Sequence, residues 1–194
     1  VGTHVRFADN DSIGLEIHLA EVTLDNFVFV GNDHPVWEYG SGLHDLGGCT
    51  VELTNGVFRG NWSGLIMEGD SSWTLTNVVI DHHDEYGVFV TEGTASFSHC
   101  AVWDNAVDFA GIASPVGADG NVSLDPEFLD VVGNNPFAWD LHLSGPSPLV
   151  DAGDPTILDP DGSVSDIGAY GGPNAAGWDL DGDGYFEWWI PGIY

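Results

Sequence analysis

Lysine is absent from this 194-residue chain, and arginine occurs only at Arg6 and Arg59. Against these two bases stand 31 acidic residues, a formal net charge of −29 at neutral pH. So few cations exclude nucleic-acid binding, which needs several bases to displace phosphate counterions. They equally exclude attachment to an anionic membrane through a basic patch. No apolar run reaches the roughly 18 residues of a spanning helix, so membrane insertion is not expected. No signal peptide precedes Val1, which fits a mature secreted chain or an excerpt from a longer one.

What is present suits a folded domain. Hydrophobic residues make up 43% of the chain, enough at this length for a real core. Self-repulsion at this charge density opposes compaction, so the fold should depend on salt, bound divalent ions or both. Calcium is the commonest partner of such a surface, and a halophilic or marine source accounts for the same charge.

Four stretches align as copies of one another: VTLDNFVFVGN (22–32), VELTNGVFRGN (51–61), WTLTNVVIDHH (73–83) and SFSHCAVWDN (96–105). One column holds Leu24, Leu53, Leu75 and Phe97, and the next Asn26, Asn55, Asn77 and His99. A third holds Phe29, Phe58, Ile80 and Val102, and a fourth Asn32, Asn61, His83 and Asn105. A partial earlier copy supplies Phe7 and Asn10. The unit is 22 residues, with a seven-residue insertion around DHPVWEY (33–39). A second element opens with glycine and an apolar residue: Gly14-Leu15, Gly42-Leu43, Gly64-Leu65, Gly87-Val88 and Gly111-Ile112.

Short alternating runs at this period, without a helical pattern, predict a parallel β-solenoid with rungs about 4.8 Å apart. The leucine column becomes an interior stack. The asparagines become ladders at bends that need left-handed backbone. Cys100 aligns with Val78 and Gly56, whereas Cys49 lies two coils away. Two coils span about 9.6 Å, beyond disulfide reach, so free thiols are expected.

These columns resemble the right-handed parallel β-helix repeat family. The resemblance implies an all-β, right-handed parallel β-helix of about five 22-residue coils over 1–112. GNVSLDPEFLD, LHLSGPSPLVDAGDP and DPDGSVSDIGAYGGP look like the closing tail of bacterial secreted or surface-anchored members. A C-terminal segment, 113–173, is therefore expected to wrap the last coil and cover its strand edges. Nothing comparable precedes Val1. The first coil is expected to present an open edge, covered by upstream coils or by another subunit.

The remaining span, 174–194, holds an Asp-rich loop and an aromatic tail. Asp179, Asp181 and Asp183 occupy alternate positions, with a glycine at the sixth and the Tyr185 carbonyl at the seventh, as in a calcium loop. Its twelfth position, Ile190, is not that of an EF-hand. It resembles thrombospondin type 3 and dockerin-like loops instead, with Glu187 as a further ligand. The alternative is a solvated acidic turn. A second calcium is weighed at Asp151, Asp154, Asp159, Asp161 and Asp166 against ordinary aspartate turn chemistry.

DHHDEYG (81–87) is the best catalytic candidate, able in principle to hold zinc or do acid/base work through His82 and His83 with Asp81 and Asp84. It faintly resembles the Asp-x-His-Asp element of alginate epimerases. Those enzymes, like pectate lyases, place cations beside a uronate carboxylate, and here Arg59 is the only neighbouring base. The expectation is accordingly non-catalytic: an extracellular, calcium-stabilised structural or adhesive protein. It would associate with itself through the open coil edge and the aromatic segment ending in Trp188, Trp189 and Tyr194, as a head-to-tail surface filament; the alternative is that this segment packs on the solenoid's own flank. Trp37 and Tyr39 add aromatics for a protein or sugar contact. A carbohydrate-active or sugar-binding module, with polysaccharide as partner, is the rival class.

Overall fold

The computed structural model describes residues 1–34 and 40–178, and within them the chain is a parallel β-solenoid of about five turns. One sheet stacks β1 (Gly2–Ala8), β3 (Glu21–Val30), β5 (Thr50–Arg59), β7 (Ser72–Asp81) and, side by side on β7, β9 (Thr94–Ser98) and β10 (Ala101–Trp103). The other stacks β2 (Ile13–Ile17), β4 (Ser41–Asp45), β6 (Ser63–Met67), β8 (Tyr86–Val90) and β11 (Val107–Ala110). Outside the coils, β12 (Phe128–Asp130) and β13 (Asp140–Leu143) pair antiparallel.

The repeat columns are the sheet register. Leu24, Leu53, Leu75 and Phe97 face one another rung by rung, as do Phe7, Phe29, Phe58, Ile80 and Val102. Phe7, Phe29 and Phe58 form a continuous ring stack, with centroids 4.6 and 4.8 Å apart. Burying each such side chain contributes about 1.5–3 kcal/mol. Cys49 and Cys100 both lie buried in this interior as free thiols, as their register requires.

Asn26, Asn55, Asn77 and His99 all adopt left-handed backbone, φ between 50° and 55°, and His4 takes the same conformation one rung earlier. At the other bend the ladder is a chain of hydrogen bonds. The backbone N–H of Asn10 donates to the Asn32 side chain, that of Asn32 to Asn61, that of Asn61 to His83 and that of His83 to Asn105. His83 is thus a variant rung of the asparagine ladder.

One column differs from expectation. Val88 pairs with Phe109, not with Ile112. Asp108 takes the place of the opening glycine and is fixed by the Asn105 side chain at 2.9 Å. Gly111 instead makes the following bend with φ +80°.

Residue size within a column is set by the neighbouring rung. Phe27 faces Gly56, and a β-carbon at Gly56 would stand 2.0 Å from the Phe27 ring. Gly56→Val, which copies Val78 on the next rung, is therefore expected to destabilise by about 1–3 kcal/mol by overpacking. A urea midpoint equal to that of the parent would disprove this packing account.

The closing segment does more than cover the last coil. Asn121 continues the first bend by accepting from the Cys100 N–H and donating to the Phe97 carbonyl, and Val122 bridges Ala101. The chain then runs back along the flank of the first sheet. Leu141, Leu149, Ile167 and Ala169 pack on an outward row of Val28, Val57, Val79 and Ala101. Hence β5 and β7 alternate exposed and buried at their start but are buried on both faces after the asparagine. Asn174 reaches the first two coils, bonding to Asp25 and to the His4 ring.

Candidate functional site

Arg59 and Asp81 end their strands on adjacent rungs, outward and opposite each other. The Arg59 guanidinium pairs with Asp81 Oδ2, and the same oxygen lies 2.9 Å from His82 Nδ1. His82 Nε2 faces Asp104 Oδ2 at 3.3 Å on the next rung. Two aromatic rings of the closing segment cover the guanidinium, Phe128 at 5.5 Å and Trp139 at 5.7 Å from their centroids. Asp81 is fully buried and Arg59 8% exposed, whereas His82 and Asp104 reach the surface.

Burial raises the Asp81 carboxyl above the usual carboxylate range, while His82 and Arg59 pull it down. Among the described residues, Asp81 Oδ1 and Arg59 Nε have no hydrogen-bond partner. The pair is desolvated but incompletely satisfied.

DHHDEYG does not converge on one point. Asp81 lies beneath the closing segment, His82 and Asp84 are exposed, and His83 points into the ladder. His83 Nδ1 lies 3.1 Å from the Asn61 N–H nitrogen and 3.2 Å from the Asn61 carbonyl oxygen, and among the described residues its buried Nε2 has no hydrogen-bond partner. Burial pushes its pKa down to about 3. A ring so held is neutral and closed to substrate.

Arg6, the other arginine, donates to the Pro136 carbonyl of the same closing segment. Both arginines therefore fasten 113–173 to the first sheet. The shared column of Arg59 and Asp81 was readable in the repeat, since both stand two positions before a ladder residue. Phe128, Trp139 and Asp104 carry no such signal: the first two lie outside the repeat, and Asp104 reads as a bend residue.

The closing-segment aspartates act chiefly on backbone amides. Asp154 Oδ1 accepts from Thr156, and Asp161 Oδ1 from Ser163, through N–H and hydroxyl in each case. These bonds lower both carboxyl pKa values. Asp159 accepts from the Gly172 and Asp166 N–H groups, and Asp166 from that of Asp151. Burial, helped by neighbouring carboxylates, raises Asp159 and Asp166. Among the described residues no three His, Cys, Asp or Glu side chains are grouped to hold a metal ion. Asp179, Asp181, Asp183, Tyr185 and Glu187, the terminal aromatics, and Trp37 and Tyr39 lie outside the described residues. No family model, curated protein or solved structure gives a significant match to this chain.

Proposed function

We propose that this chain is an extracellular, calcium-stabilised β-solenoid with a structural or adhesive role, associating with copies of itself through the first-coil edge and the aromatic C-terminal segment. The observation that carries this reading is the use made of its reactive groups. Arg6 and Arg59 are engaged with the closing segment, and His83 is a buried ladder rung. Both arginines are thus held by the closing segment instead of being offered to an anionic sugar. Calcium is assigned to the terminal loop of Asp179, Asp181 and Asp183, with Tyr185 and Glu187 completing it.

Melting with calcium and again with chelator should differ clearly. A ligand bound only by the native state adds about 2.7 kcal/mol at a hundred times its Kd. An unchanged melting temperature would remove calcium from the proposal. Negative-stain microscopy in calcium at high concentration should show end-to-end assemblies, and uniform single particles would remove self-association. The carbohydrate-active reading rests on His82, whose exposed ring is oriented by Asp81. Release of sugar products that is lost in His82→Ala would favour it.

A further inference from the structure

The body and the closing segment carry net charge of the same sign. Residues 1–112 hold 17 acids and two arginines, a net −15 with histidine neutral, and residues 123–173 add nine acids and no lysine or arginine. What joins them is the apolar row on the flank, a few hydrogen bonds given and accepted by ladder asparagines, and the two arginines. The seats for the segment are shaped for close approach. A β-carbon at Gly31 would come within 2.3 Å of Pro136, and one at Gly60 within 3.0 Å of Trp139. Both glycines have positive φ, in a column where the other rungs carry Asp9, His82 and Asp104.

From these contacts we propose that residues 123–173 form a strap that undocks from the solenoid as one unit, with ionic strength setting its docking. The strap owns its own apolar cluster, distinct from the interior that holds the coils together. Its removal leaves every coil-to-coil strand pair intact. Undocking also rehydrates Asp81 and Arg59, whose unpartnered buried atoms make the closed state costly at that point. Like charges on strap and body are screened beyond about 10 Å at 0.1 M salt but reach about 30 Å at 0.01 M, so low salt favours the open form. Opening uncovers the Val28, Val57 and Val79 row.

Amide exchange followed residue by residue on the full chain reads this out. The Gly168 N–H, bonded to the Asn77 carbonyl at 3.0 Å, and the Asp154 N–H, bonded to Asn77 Oδ1 at 2.7 Å, report the strap. The paired amides of β5 and β7 report the body. Between about 0.5 M and 0.01 M salt, the strap amides should exchange about tenfold faster while the body amides hold their rates. Trp139→Ala, which leaves Arg59 and Asp81 in place, should give the same selective acceleration at high salt. Strap and body amides that accelerate together in either case, or strap amides indifferent to both changes, would overturn the proposal.

Discussion

Arg59→Met, with Asp81 left in place, is expected to cost about 3–5 kcal/mol, the usual consequence of stranding one partner of a buried ion pair. Asp81 has no exposed surface, and its Oδ1 already lacks a hydrogen-bond partner among the described residues. Without the guanidinium, His82 remains beside Oδ2. The loss should be largely recovered in Arg59→Met with Asp81→Leu, because the pair as a whole contributes little beyond what packed apolar side chains would. Denaturant midpoints of the two single variants and the double variant check this. If the double variant is as unstable as Arg59→Met alone, the cost belongs to lost stacking on Phe128 and Trp139, not to the stranded carboxylate.

His83→Asn should make the protein markedly more resistant to acid while changing little at neutral pH. The buried ring titrates near pH 3 in the folded chain, against 6.5 when unfolded. Between those values the unfolded state takes up the extra proton, so this contribution is complete above about pH 6.5 and drains away as pH falls toward 3. The full span amounts to about 5 kcal/mol, of which about 2–3 kcal/mol is already lost at pH 4.5. Asparagine removes the titration and keeps the rung. Asn61 and Asn105 accept the backbone N–H of the rung before, as His83 does, and their side-chain N–H groups donate in addition to the Phe29 and Ile80 carbonyls. Protonation of the many carboxylates acts on parent and variant alike, so the difference between their melting temperatures at pH 7 and pH 4.5 isolates His83. An equal fall in both would mean that the ring charges in place at little cost.

Much of this architecture was legible because a solenoid repeats its environment. Each rung asks for the same residue type at the same place, so Leu24 to Phe97 and Asn32 to Asn105 stand out as columns without homologues. His83 was readable as a ladder member by its position alone. The columns are lost where the period slips. The bend after Asn105 admits Asp108 where a glycine was expected, which moves β11 three residues ahead of Ile112. They are absent beyond the repeat: residues 123–173 carry apolar positions with no period, and nothing in their order says which surface they cover.

The second left-handed column was also hidden. Asp9, Gly31, Gly60, His82 and Asp104 share a backbone conformation but not a chemical type, since each satisfies the positive φ in its own way. Only geometry groups them. That grouping explains why His82 projects outward while its neighbour His83 is buried.

By itself the sequence determined the period, the parallel stacking, the interior columns and the free state of Cys49 and Cys100, because each depends on residues one rung apart in a regular lattice. Tertiary structure alone decided the fate of the two arginines. Whether Arg59 serves a substrate or a fold depends on what lies over it, and Phe128 and Trp139 come from some 70 to 80 positions away with no periodic signal. In a chain with a net charge of −29, the path of the closing segment therefore settles where its scarce positive charge can act.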